Sequence, residues 1–172
     1  IDRPGHLEWK RQRLDQLGFG VPEWLRLVSV DFEAGESWWE RLAAAGFDAA
    51  QPAVVACTGV SMYLTRDALT ATLRHIATLA PGSTLAMTFL LPLQLMDPEV
   101  RPGFQLAEKG ARAGGTPFVS FFTPSEAVAL ARETGLKEAR HVSAAELHDR
   151  YFKGRSDRLR LSCGEEFLVA AT

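Results

Sequence analysis

Cysteine is scarce in this 172-residue chain, which contains only Cys57 and Cys163. Two thiols cannot build the disulfide framework of a small secreted domain, and neither has a cysteine or histidine partner at metal-ligand spacing. The four histidines, too, are not at metal-ligand spacing from one another; they are His6, His75, His141 and His148. The composition therefore predicts a cytoplasmic protein without a metal site.

An excess of positive charge is also absent, since 19 Lys and Arg residues stand against 21 Asp and Glu residues, for a formal net charge of -2. A nucleic-acid-binding surface usually needs clustered basic residues, so we expect no nucleic-acid partner. The most apolar stretch, 85–96, is shorter than the roughly 20 residues of a membrane-spanning helix, and Pro92 interrupts it. We therefore expect no membrane span, and the oligomeric state stays open.

Strand-like and helix-like segments alternate along the chain, which is typical of a mostly parallel sheet with helices on both faces. We predict an α/β fold with strands at 1–2, 25–31, 53–57, 83–91, 137–142 and 167–171. The run at 53–57 is continuously apolar, which predicts a strand buried on both faces with Cys57 as a small core residue. The last strand follows a polar excursion without a full-length crossover helix, which permits an antiparallel entry.

Two further segments bear on the organisation of the domain. The chain opens at Ile1 on what looks like a strand end, so we expect residues 1–172 to be the C-terminal portion of one domain. Residues 97–120 show no strong periodicity and contain four glycines, which predicts an insertion or mobile cover. Capping boxes at Thr123–Glu126 and Ser143–Glu146 each predict the start of a helix.

Polar residues stand directly after three predicted strands, at Asp2, Asp31 and Thr58. Ligands of open parallel sheets bind beyond the carboxyl ends of the strands. The Asp2 carboxylate has the chemistry to accept hydrogen bonds from both hydroxyls of a ribose. The alternative is an acid that only stabilises the N-terminus of the helix beginning at Pro4.

The second acid is followed by an aromatic residue, in the pair Asp31-Phe32. A carboxylate can accept the exocyclic amine of adenine, and an aromatic ring can flank the base. The alternative is a helix-terminal acid beside a core phenylalanine. Two acids one strand–helix unit apart favour a nucleoside more than either alone. Gly59, after Thr58, permits close backbone approach to a ligand, or simply forms a tight turn.

Three blocks carry a resemblance to a known family: Asp2-Arg3-Pro4 with Trp9-Lys10-Arg11, Val30-Asp31-Phe32, and the run from Thr58 to Leu64 (TGVSMYL). In this order they resemble the leucine carboxyl methyltransferase-like family, in particular the S-adenosylmethionine-dependent methyltransferases abundant in actinobacteria. The resemblance implies a class I methyltransferase fold with an antiparallel last strand. It also implies S-adenosyl-L-methionine as cofactor and a small-molecule or carboxylate methyl acceptor.

By the same resemblance, Asp2 would bind the cofactor ribose, and Asp31 with Phe32 would hold the adenine, where the family often has Asp-Leu. Thr58 and Gly59 complete the expected cofactor set, and Tyr63 would face the substrate. The chain departs from the family at Thr58, where a glutamate is frequent, and it does not contain the glycine-rich loop found upstream of the Asp2 block. No catalytic residue is singled out.

Two alternative functions stay open from the sequence. A nicotinamide-dependent oxidoreductase would also need a ribose-binding acid, but the Gly-x-Gly-x-x-Gly fingerprint is not present. A degenerate domain that serves only in binding or oligomerisation is favoured by Thr58 and by the missing glycine-rich loop. Binding of S-adenosylhomocysteine, compared with NAD, separates the three.

Overall fold

The computed structural model describes residues 1–30, 36–157, 159–161 and 163–172. Two compact units make up the chain, Ile1–Ala49 and Ala50–Thr172.

The first unit contains two helices and one short parallel pairing. Helix α1 (Pro4–Gln16) begins with proline in its first turn, and α2 (Trp38–Ala44) begins at Ser37, whose hydroxyl accepts a hydrogen bond from Glu40 N. Asp2 pairs in parallel with Ser29. The predicted strand at 25–31 is thus reduced, over its described part, to one bridge, because its partner in this unit is a two-residue stub.

The second unit is built on four strands: β1 (Val54–Cys57), β2 (Thr84–Leu90), β3 (Glu138–Val142) and β4 (Glu165–Ala171). Their order in the sheet is β1-β2-β4-β3. The β1–β2 pair is parallel, whereas β4 is antiparallel to both β2 and β3. Three strands therefore run in one direction, and the last strand enters between two of them in the opposite direction, as predicted.

The core of this unit lies around β2, the strand with the most complete burial. Residues 87–90 of β2 are all buried, and because successive side chains point to opposite faces, the sheet is covered on both faces there. The edge strand β1 differs: Val54 is 83% exposed and Cys57 only partly buried. The prediction that 53–57 is buried on both faces is wrong for this unit, because among the described strands β1 lies at the edge of the sheet and pairs with β2 alone.

Helices α3 (Arg66–Ala77), α5 (Pro124–Glu133) and α6 (Ala144–Tyr151) begin where their capping residues predict. Thr65 caps α3, whose buried side chains recur at helical spacing: Leu69, Leu73 and Ile76. The capping box at Thr123 is complete. At Ser143 only the hydroxyl half forms, because the Glu146 carboxylate lies instead 3.5 Å from Arg140. Of the helices described, none is long and apolar enough to cross a membrane.

The segment expected to be an irregular insertion or cover contains a fourth helix in this unit, α4 (Arg101–Ala113). The residues at this helix that line a cleft are Val100, Gly103, Phe104 and Ala107. We call them its inner stripe; they recur at helical spacing, but glycine and alanine occupy two of the positions. Leu106, by contrast, is 71% exposed. No strong periodicity is visible in the sequence at 97–120 because glycine and alanine occupy part of this stripe, yet a helix forms there.

Candidate functional site

Asp2 forms an isolated parallel bridge with Ser29 in the first unit. Its amide donates to Val28 O at 3.3 Å, and its carbonyl accepts from Val30 N at 3.1 Å. These bonds bracket Ser29, which is the pattern of a parallel pairing. The Asp2 backbone is thus fixed beside the segment that leads to residue 31.

The Asp2 carboxylate is held by local hydrogen bonds. Oδ1 accepts the Arg3 amide at 2.8 Å and contacts His6 Nδ1 at 3.0 Å. The side chain is 52% exposed, and among described residues no hydrogen bond reaches Oδ2. Partial burial would raise the pKa of Asp2, but the bonds from His6 and Arg3 outweigh it and lower that pKa. The group is therefore a charged acceptor with one oxygen open to a ligand.

Asp31 and Phe32, the predicted adenine contacts, lie outside the described residues. Their roles stay predictions from the sequence.

In the second unit, Thr58 and Gly59 follow β1 directly. Gly59 has a φ of 69°, in the left-handed region that favours glycine. Its amide donates to the Thr88 hydroxyl on β2 at 2.8 Å, and the Ser61 hydroxyl donates to Thr88 O at 2.6 Å. The turn after β1 is thereby fixed to the neighbouring parallel strand.

A cleft of about 400 Å³ opens beside this turn, lined by Thr58, Gly59, Thr88, Glu165 and Phe167. It lies at the edge of the sheet where β1 and β2 end, and where β4 begins. The sequence therefore placed Thr58 and Gly59 at a concave surface, although nothing in the geometry identifies the ligand.

A second cleft, of about 510 Å³, adjoins the first and shares Gly59 and Glu165 with it; we call it the aromatic cleft. Its lining is mainly apolar: Met62, Tyr63, Leu90, Val100, Gly103, Phe104, Ala107, Phe118 and Gly164 complete it. Tyr63 comes from the 3-10 turn Ser61–Tyr63 and is 47% exposed. The residue expected to face a substrate thus lines a cavity of the second unit.

Phe104 and Glu165 are among the cleft residues that were not identified from the sequence. Phe104 was missed because helix α4 was not predicted. Glu165 was missed because the prediction considered only residues at the carboxyl ends of strands. An antiparallel strand such as β4 brings its amino end to the edge of the sheet where the parallel strands end. Glu165 pairs with Leu90, the last residue of β2. The predicted antiparallel last strand was the signal that would have found it.

Metal binding finds no support in the described part of the chain, where no cluster of three or more His, Cys, Asp or Glu side chains is suited to hold an ion. The two thiols are weak nucleophiles. Burial raises the pKa of Cys57, and burial together with the nearby Glu166 carboxylate raises that of Cys163. Neither arrangement suits covalent catalysis.

Comparison with known proteins gives a family match over the first part of the chain and a likeness in fold. The family model for leucine carboxyl methyltransferase matches residues 1–77. A Mycobacterium tuberculosis protein named "Putative S-adenosyl-L-methionine-dependent methyltransferase" is 40% identical over 92 residues, 53% of this chain and 29% of the relative. YktD of Bacillus subtilis, which bears the same name, is 26% identical over 160 residues, 92% of this chain and 52% of its own length.

Among solved structures, the S-adenosylmethionine-dependent methyltransferase SibL in its apo form superposes with a TM-score of 0.56 at 16% identity. The match covers 99% of this chain and 41% of SibL. At that identity the likeness concerns the fold, an α/β arrangement with the mixed sheet described above. The resemblance inferred from the three sequence blocks is therefore confirmed, with residues 1–77 matching the leucine carboxyl methyltransferase family.

Proposed function

We propose that this chain is part of an S-adenosylmethionine-dependent methyltransferase that methylates an oxygen of a small molecule or a carboxylate. The family match over residues 1–77 and the relatives named for this activity support the assignment. The aligned segments span 29% and 52% of those relatives, so activity is proposed for the whole protein rather than read from these residues. The cytoplasm as its compartment stays a prediction from composition.

The observation that carries the proposal is the parallel pairing of Asp2 with Ser29. It sets a charged carboxylate, with one oxygen open, beside the segment that runs into Asp31 in the sequence. A carboxylate that accepts from both ribose hydroxyls, followed by a second that accepts from the adenine amine, recognises one adenosine at two points. Phe32 would flank the base, and Thr58 and Gly59 are proposed as further cofactor contacts.

The cofactor would supply a methyl group already activated on a sulfonium. The protein then needs chiefly to align the acceptor oxygen with that methyl group and to exclude water. A carboxylate acceptor needs no general base, whereas a hydroxyl acceptor must lose its proton. No residue is therefore assigned as a catalytic base.

Isothermal titration calorimetry of the full-length protein with S-adenosylhomocysteine tests the proposal. We expect binding that Asp2→Ala weakens by about 1.5–3 kcal/mol, the cost of losing a charged hydrogen bond. Asp15→Ala is the matched control, because Asp15 is an exposed acid on α1 of the same unit. Its affinity should equal that of the wild type.

The other outcomes decide between the alternatives. Binding of NAD in preference to S-adenosylhomocysteine would favour the oxidoreductase. A folded full-length protein that binds neither would contradict the proposal and favour a degenerate domain, which is also the interpretation that Thr58 supports, since the family often carries glutamate there.

A further inference from the structure

We propose that the aromatic cleft binds the methyl acceptor, and that this acceptor is an uncharged aromatic molecule with a hydroxyl group rather than a carboxylate. That the ligand is a methyl acceptor rests on the proposed function. The chemical class of the ligand is argued from the second unit alone. It narrows the two acceptor classes that the sequence left open to one.

Three aromatic rings form one wall of the cleft. The Tyr63 and Phe118 centroids are 5.5 Å apart with the planes at 59°, and the Phe118 and Phe104 centroids are 5.9 Å apart at 31°. Rings at such distances and tilts present faces and edges suited to a further ring, since aromatic pairs prefer offset or edge-to-face contacts. A planar aromatic ligand would extend this cluster.

The wall is anchored to the sheet by backbone hydrogen bonds. Val119 N donates to Met62 O at 2.8 Å, which ties the strand-like segment after Phe118 to the turn that carries Tyr63. Phe122 N donates to Leu90 O at 2.9 Å. Two rings of the wall are thus fixed against the end of β2, and a ligand would meet a largely preformed surface.

Small residues contribute to the lining of the cleft and leave room in it. Gly59, Gly103 and Ala107 line the cleft together with the larger side chains. The volume of about 510 Å³ is within the range of small-molecule sites, roughly 300–1,000 Å³. One or two fused rings fit this space, whereas a folded protein chain would not enter it.

Charge decides the acceptor class. Glu165 is the only acidic or basic residue among the described residues that line the cleft. Its carboxylate is exposed and, within the described part of the chain, has no salt-bridge partner. A bound carboxylate would meet this negative charge, and among the described residues that line the cleft no basic side chain offsets it, which is unfavourable. A hydroxyl can instead donate a hydrogen bond to it.

The transfer balances for such an acceptor. The hydroxyl oxygen forms the new O–C bond as the C–S bond of the S-adenosylmethionine sulfonium breaks. The bonding pair stays on sulfur, which becomes a neutral thioether, and the hydroxyl proton is released to water.

A matched pair of probes tests the inference: 2-naphthol and 2-naphthoate, titrated at neutral pH into the 172-residue chain and followed by probe fluorescence. They share the ring system and differ in charge. We expect 2-naphthol to bind about threefold to fivefold more tightly than 2-naphthoate, the range for an interaction with an exposed charge. Equal affinities, or tighter binding of 2-naphthoate, would overturn the proposal.

Glu165→Gln should then raise 2-naphthoate affinity about threefold to fivefold and weaken 2-naphthol binding, because a neutral amide oxygen replaces the charged acceptor of its hydroxyl. The control is Glu138→Gln, an exposed acid on β3 that pairs with Ala171, at the opposite end of β4 from Glu165. It should change neither affinity. An unchanged probe ratio in folded Glu165→Gln contradicts the role of that carboxylate, and if this variant does not fold, the wild-type ratio decides.

No cofactor is present in these titrations, so the two proposals fail separately. If 2-naphthol does not bind while S-adenosylhomocysteine does, the acceptor inference is overturned and the methyltransferase proposal survives. If S-adenosylhomocysteine does not bind but 2-naphthol is still preferred, the cleft is a site for uncharged aromatic hydroxyl compounds. Its assignment as a methyl-acceptor site is then overturned.

Discussion

The Gly59 amide donates a 2.8 Å hydrogen bond to the Thr88 hydroxyl, so a side chain of β2 fixes the turn that follows β1. Thr88 is 4% exposed, and its carbonyl also accepts from Ser61. Both clefts of the second unit include Gly59 in their lining. One buried threonine therefore sets the backbone on which the proposed ligand contacts depend.

Thr88→Val keeps the shape of this side chain but removes the acceptor for Gly59 N–H. We expect the free energy of unfolding to fall by about 1–3 kcal/mol, since a part-buried donor loses its partner. Urea denaturation followed by circular dichroism measures this. Thr84→Val is the control, because the Thr84 side chain, on the same strand, makes no hydrogen bond among described residues. Equal stabilities of the two variants would show that the Gly59–Thr88 bond contributes nothing.

Gly59→Ala should destabilise the protein through its backbone alone. A Cβ there meets no atom within 4 Å, but the φ of 69° is strained for an L-residue, at a cost of about 1–2 kcal/mol. Gly110→Ala, inside helix α4 and equally unhindered, should instead stabilise by about 0.5–1 kcal/mol. Thermal denaturation distinguishes the two, and a shift of the same sign in both would be inconsistent with this account.

The carboxyl of Asp2 should titrate below its ordinary pKa of 3.8, because the His6 and Arg3 hydrogen bonds outweigh the effect of its burial. A carboxyl whose pKa is lower in the folded than in the unfolded state adds stability above the unfolded pKa. That stability is lost as the pH falls through the folded pKa.

Removing His6 with His6→Ala should raise the Asp2 pKa, as measured by carbon-detected NMR of the side-chain carboxyl. It should also move the acid-induced loss of stability to higher pH. His148→Ala, on α6 of the other unit, is the control. A pKa of Asp2 that does not respond to His6→Ala would remove the His6 contact from the explanation.

Asp31→Ala should weaken S-adenosylhomocysteine binding by about 1.5–3 kcal/mol, because one charge-assisted hydrogen bond to adenine is lost. Phe32→Leu is the informative companion, since the resembled family often has leucine there, and it should bind within about threefold of the wild type. Calorimetry measures both. Unchanged affinity in Asp31→Ala would exclude that carboxylate from the cofactor site.

Much of the fold followed from the sequence because its signals were local. The capping residues Thr65 and Thr123 fixed the starts of two helices, and the apolar run through β2 gave the central strand. Burial of β1 could not be predicted from its composition, because a strand's exposure depends on how many neighbours pair with it. Helix α4 was missed because glycine and alanine occupy its inner stripe.

Residues of the candidate site could be predicted only where the end of a strand could be predicted from the sequence. Asp2 and Thr58 were predicted because each stands at the end of a predicted strand, and Gly59 because it follows Thr58. Glu165 was not, since its position depends on the direction of β4 and on its pairing with Leu90, both tertiary facts.

A crystal structure of the 172-residue chain with S-adenosylhomocysteine addresses the central claim most directly. We expect both ribose hydroxyls within hydrogen-bonding distance of the Asp2 carboxylate, and the adenine amine within that distance of Asp31. A nucleoside bound away from these two acids, or touching only one of them, would contradict the account.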